Sequence, residues 1–251
     1  MKRIPPPLCS IPLLSGLCAV AFQLLTAATA PGEEEPKPAI PELQLISPGV
    51  YQIGKLRVDK NLLTVTIPAT LNMEEGNLEY LLVSRKGSTH ESLLVSDVEP
   101  SQLHFAMLLL GAKGAGILTP APGDAPPGQI NAEYLKHAPR LKGDSVSITA
   151  KWTQKGETKS VPVEDWLLGT NTNKPPARGP WTYTGSMFSN DVFLAQSEGC
   201  FVALIINPSA LINNPRKDND NDQVWVPRKK VIPPRDTPVD LVFKLEPAKN
   251  P

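Results

Sequence analysis

The sequence predicts an α+β fold rich in strand: antiparallel sheet built from hairpins, one short helix at about residues 100–110, and long proline-rich loops. Three observations carry that expectation. Short apolar runs with two-residue alternation recur along the chain, as in Val239, Leu241, Phe243 and Leu245. Proline accounts for 28 of the 251 residues, and because it interrupts helix interiors and central strands the elements should be short. Only one segment, Pro100 to Leu110, combines helical spacing of apolar residues with start and stop signals.

The elements are expected in this order. Residues 1–30 have the form of a secretory signal peptide: Lys2 and Arg3 at the start, an apolar stretch from Leu13 to Leu25, and Ala28-Thr29-Ala30 as a small-residue cleavage site. Residues 31–42, rich in proline and glutamate, form a linker with little to bury. A single domain is then expected over residues 43–247. Its first strands fall between Leu43 and Leu71, with turns at Pro48-Gly49 and Lys60-Asn61. Pro68 cannot donate to a ladder, so the strand containing it should end, bulge or lie at an edge there.

Leu78 to Val98 reads as a hairpin turning at Gly87, which would place His90 and Ser92 on one face of the returning strand and Glu91 on the other. In the helix that follows, Asp97 or Ser101 is the expected cap and Gly111 the stop, with Leu103, Met107 and Leu110 on one stripe beside Ala106. The glycines of 111–116 follow a helix instead of opening one, so they do not make a phosphate loop. Residues 119–128 form a loop. A second hairpin joins Asp144–Trp152 to Ser160–Leu168, after which the runs beginning at Trp181, Asp191 and Cys200 read as three successive strands and Val239–Leu245 as the last.

Charge and cysteine content narrow the function classes. Removing Lys2 and Arg3 with the leader takes 25 basic residues to 23 against 25 acids, a near-neutral chain that suits neither a nucleic-acid binder nor a polybasic membrane anchor. No apolar run after the leader is long enough and free enough of charge to predict a membrane span. Of the three cysteines, Cys9 and Cys18 lie in the leader, leaving Cys200 alone in an apolar run, where it is expected to be a buried, unreactive thiol. One cysteine cannot hold an iron–sulfur cluster. No other cofactor is indicated.

Two polar clusters are the candidate sites. His90, Glu91 and His104 could converge on a metal, with Glu79 as a further carboxylate, and Ser92 sits beside a potential base; however, Glu91 on the opposite strand face could not orient His90 as a catalytic triad requires. Asp218, Asp220 and Asp222 have the alternating oxygens of the first half of a calcium loop. Gln223 and Lys229 stand where such a loop wants Gly and a bidentate Glu. Trp152, Trp166, Trp181 and Trp225 are spaced as core residues, with a ligand platform as the alternative.

The runs GKLRVD, VTIPATLNMEEGNLEYLLV, THESLLV and LHFAMLLLGA, then WTYTGSMF, INPSALINNP, DNDNDQVWV and TPVDLVF, together resemble the YdjY-domain proteins from about Ile53 to Leu245. The resemblance implies a bacterial, exported protein, periplasmic or extracellular, and carries no established activity, cofactor or catalytic residue. Some relatives bear a ferredoxin-like label that this chain's single cysteine outside the leader does not suit. The leading expectation is a non-enzymatic binding or interaction module of the envelope with an unidentified partner or ligand. The alternative is a metal-dependent or hydrolytic enzyme using His90, Glu91, Ser92 and His104.

Overall fold

In a computed structural model, which describes residues 42–114 and 141–247, strand outweighs helix by 42% to 12%, and eight strands of mixed direction close into a barrel. This overturns the expected α+β arrangement of open antiparallel sheets. The leader, the linker as far as residue 41 and the 119–128 loop lie outside the described residues.

Around the barrel the order is β4 (Thr64–Leu71), β16 (Pro238–Leu245), β7 (Asp144–Gln154), β10 (Trp181–Tyr183), β14 (Ile212–Asn213), β13 (Cys200–Ala203), β5 (Tyr80–Ser84) and β6 (Ser92–Ser96). The ring closes where Thr70 and Leu71 of β4 pair with Val95 and Leu94 of β6. Two extensions leave it. The strands β3 (Leu56–Asp59), β2 (Val50–Ile53) and β1 (Leu43–Ser47) run out in turn from the first half of β4, and β8 (Glu157–Pro162) pairs the second half of β7. Two small ribbons, β9 (Leu167–Gly169) with β15 (Trp225–Pro227) and β11 (Phe188–Ser189) with β12 (Val192–Phe193), lie apart from the main sheet.

The expected alternation holds in β4, β7 and β16, where every second side chain is buried. Pro68 sits inside β4, opposite Asp240 of β16, neither ending nor bulging the strand. Its carbonyl points away from β16 and accepts from Ser96 Oγ at 2.6 Å. On that side β3 pairs only as far as Thr66 and β6 begins at Thr70, so the missing N–H falls in the gap between two partners and costs no ladder bond.

The Leu78–Val98 hairpin is also corrected. β5 and β6 are parallel, with Leu82 opposite Leu94 and Val83 opposite Val95. Both strands are buried along nearly their whole length, the mark of strands covered on both faces. The link must step back four residues, about 13 Å at ~3.3 Å per residue. The seven residues Arg85–Glu91 can span up to about 23 Å, so the return is short but feasible. β13 and β14 form a second parallel pair, joined by residues 204–211.

The two parallel pairs abut through β5 and β13. Gly199, at φ +69°, packs so tightly there that an added Cβ would lie 2.5 Å from Ser84 Oγ and 2.7 Å from the Gly87 nitrogen.

Helix α1 (Pro100–Leu109) occupies the expected span, with a different cap. Glu99 forms a reciprocal capping box with Gln102, and Pro100 takes the first turn. Gly111 at φ +95° ends the helix in a Schellman turn, donating to Leu108 O while Ala112 donates to Met107 O. Leu103, Ala106 and Met107 face the core as expected. Residues Leu194–Glu198, expected to be strand, form a short helix, α2, ended by Gly199. Leu, Ala, Gln and Glu are good helix formers, and their preference prevails over the strand reading here.

All four tryptophans are buried. Trp181 belongs to a clamp in which its Nε1 donates to Glu164 Oε1 at 3.1 Å and the Arg216 guanidinium carbon stands 4.7 Å over its ring. Arg216 pairs with Glu164 at 2.5 Å, their side chains only 11% and 4% exposed, and donates further to the Ala177 and Gly179 carbonyls. One arginine thereby holds the 171–180 loop to the barrel. Arg216→Ala, which leaves a carboxylate buried without its partner, should cost about 3–5 kcal/mol in urea unfolding, and Arg216→Met with Glu164→Gln should recover much of it. A loss below about 1 kcal/mol would show that the clamp is peripheral. Gly199→Ala should lower the melting temperature by several degrees through the clash with Ser84 and Gly87.

Candidate functional site

The structure separates the members of the first polar cluster. Thr89–Glu91 form a single 3₁₀ turn and β6 begins only at Ser92, so His90 and Ser92 do not share a strand face. Ser92 is fully buried and its hydroxyl donates to Leu94 O at 2.8 Å, whereas the His90 side chain is 80% exposed. His90 Nε2 lies 3.8 Å from Glu91 Oε2. His104, on α1, is committed elsewhere: its Nδ1 is 2.7 Å from the Tyr183 hydroxyl. Among the described residues no group of three or more His, Cys, Asp or Glu side chains is arranged to hold a metal ion, so neither His90, Glu91 and His104 nor Asp218, Asp220 and Asp222 form a ligand set. The alternating letters of the acidic run suggested calcium, but its loop is tied up internally. Asn171 donates to Asp218 at 3.1 Å, Gln223 donates to Asp222 at 3.1 Å, and Asn219 donates to Asn214 O at 2.7 Å.

The two clusters do approach each other at Glu79. Burial raises its carboxyl above the usual carboxylate range, and the negative charges of Glu91 and Asp222 push the same way against a smaller opposing effect of His90. His90 also lines the rim of two open clefts. One, of about 600 Å³, is walled by Asn72, Glu75, Thr89, Lys229 and Arg235; the other, of about 340 Å³, lies between the parallel pairs beside Tyr80, Glu198 and Cys200. Cys200 is buried and its thiol is pushed up to about 12, chiefly by burial, so it stays protonated and unreactive as expected.

A third feature was not foreseen. α1 is apolar on both sides: Leu103, Ala106 and Met107 face inward, while Phe105 and Leu108 are 48% and 44% exposed. His104 packs on Phe193 with ring centroids 4.9 Å apart, and Phe193 packs on Phe188 at 5.0 Å. Phe188 is 66% exposed, whereas Val192, 47% exposed, pairs with Ser189 and stands on the other face of the ribbon. An apolar surface therefore runs from α1 across His104 to the β11–β12 ribbon. His104 anchors it inward to Tyr183, whose buried hydroxyl keeps its proton because burial and nearby Asp144 raise its pKa. The available signal was the outward apolar residues of α1, which a helix packed on one side only does not need.

His104 and Glu79 predict opposite pH effects. Burial lowers the His104 pKa, so the unfolded imidazole protonates first; this stabilising contribution is present above about pH 6.5 and is lost as pH falls through the folded value. Glu79 has a raised pKa, so its contribution is present at low pH and is lost as pH rises through the folded value. Urea midpoints should show His104→Gln losing less stability than the parent from pH 7.5 to 5.5. Glu79→Gln should be more stable than the parent at pH 7.5 and equal to it at pH 4. Parallel curves for parent and variants would refute both assignments.

The YdjY domain family model matches residues 56–244. No curated protein and no solved structure matches the chain. That match runs from β3 almost to the end of β16 and takes in the whole closed barrel, so the chain belongs to the YdjY domain family.

Proposed function

We propose that this chain is an exported, non-enzymatic binding module of the bacterial envelope, and that the surface formed by Phe105, Leu108 and Phe188 receives a protein partner. The observation that carries this reading is the exposure of two phenylalanines and a leucine on elements that meet at His104. Aromatic residues on a firm scaffold supply contact area at low conformational cost, as interface anchors do. The firmness comes from the His104–Tyr183 hydrogen bond and from the inward stripe of α1. The N-terminal signal features and the linker support the envelope location, and among the described residues no helix is long and apolar enough to cross a membrane.

A photo-crosslinking residue at position 188 or 108, introduced in cells of a bacterium that makes this protein, should give an adduct of one discrete mass. The same residue at Lys155, in the β7–β8 turn, should give none. Phe188→Asp should remove the adduct at 108 without changing the melting temperature. Adducts at all three positions, or at none, would defeat the proposed surface. The intact mass of the exported protein should correspond to a chain starting near Pro31, and a mass that retains residues 1–30 would defeat the leader assignment.

A further inference from the structure

Beside the cleft of about 600 Å³ lies another of about 560 Å³, and the two share Glu75 and Lys229. The floor of this second cleft is the β9–β15 ribbon. Leu168 and Val226 stand opposite each other there, and opposed residues in antiparallel strands share a face. Their neighbours Leu167, Trp225 and Pro227 are buried, whereas Leu168 and Val226 are half-buried and line the cleft. The ribbon thus turns one face to the core and an apolar pair outward.

Above this floor the chain continues as Arg228-Lys229-Lys230, and all three line the cleft against one carboxylate, Glu75. In a chain with 25 basic and 25 acidic residues, that is a local excess of positive charge. Lys229 Nζ lies 2.6 Å from Glu75 Oε2, but the two side chains are 62% and 79% exposed, and so open a pair contributes little and yields readily to another partner. Lys230 has no carboxylate within ion-pairing distance among the described residues. Arg228 is partly engaged, its Nη1 donating to the Asp165 carbonyl at 3.4 Å, which leaves Lys229 and Lys230 as the groups able to move onto a ligand.

A peptide strand finds no open edge here. On the outer sides of the ribbon Trp225 O accepts from Leu78 N, Pro227 O accepts from Lys229 N, and Gly169 bridges to Lys174. A mostly apolar hollow with a few convergent charges, of a volume within the usual range of about 300–1,000 Å³, instead suits a small ligand.

We infer that this cleft binds a single-chain amphipathic carboxylate, its apolar chain lying across Leu168 and Val226 and its head held by Lys229 and Lys230. Glu75 marks the position of the head, since its carboxylate already sits on Lys229 where the ligand's would replace it.

Isothermal titration of the purified protein with decanoate, kept below its micelle concentration, should show saturable binding at one site per chain. Decyltrimethylammonium, with the same chain and the opposite charge, should bind at least about tenfold more weakly, and acetate, the head alone, should give no saturable heat. Lys230→Glu should weaken decanoate binding about tenfold with an unchanged melting temperature. Leu168→Ser should weaken it by about the same factor; because Lys230→Glu alters only an exposed side chain, the test holds even where Leu168→Ser folds poorly. Lys155→Glu and Phe188→Asp should bind decanoate like the parent, which separates this cleft from a general charge effect and from the proposed partner surface. No saturable binding up to about 1 mM would overturn the inference. So would several sites per chain, equal binding of decyltrimethylammonium, or an affinity that survives Lys230→Glu.

Discussion

Ring closure between β4 and β6 is the constraint on which the other features depend. An open sheet of this size would leave two long edges, and closing it removes both from the barrel proper. Closure requires the chain to lay β6 beside β5 in the same direction after only seven residues, and to repeat the manoeuvre from β13 to β14. The β5–β6 return packs on the junction of α2 with β13, where the absence of side chains at Gly87 and Gly199 lets the backbones come within contact distance. The smaller cleft lies at this contact, lined by Gly87, Ser88, His90, Glu198 and the buried Cys200.

Strands with one buried face were legible in the sequence, because alternation reports that geometry directly. β4, β7 and β16 and the turn between β7 and β8 lie where the pattern places them, and the bounds of α1 follow from its proline and glycine. Direction was not legible for β5 and β6. Their apolar runs do not alternate, and a glycine between two such runs suits a hairpin as well as a short parallel return. The clue was the doubly buried Leu-Leu-Val of each strand, which marks strands covered on both sides. Closure itself depends on pairings between residues far apart in the chain, such as Val202 with Leu82, and no local pattern encodes them.

The candidate sites show a similar division. Clusters such as His90-Glu91-Ser92 are conspicuous as strings, but the fold spreads them over a turn, a core position and a surface. The features the fold does assemble were inconspicuous. Glu164, Trp181 and Arg216 are far apart in sequence and form one buried clamp, and His104 joins a helix to Tyr183 79 positions away. Polar residues are conspicuous in the sequence because chemistry is written in them; the surface that stands out in the folded chain is apolar.

Pro68 has a wider consequence. By occupying the point where β4 changes partners, it divides that strand into a portion belonging to the ring and a portion carrying the three-stranded wing. The wing is fastened to β4 by three residue pairs, Arg57 to Asp59 with Thr64 to Thr66, whereas β16 is matched to β4 along seven. Opening of the whole wing would leave the ring's ladder intact but uncover Ile53, Leu56 and Val58, which are buried in the core shared with the barrel, so only β1, exposed along its whole length, opens at little cost in free energy. Such a division lets the edge strand vary, fray or exchange partners while the barrel keeps its register.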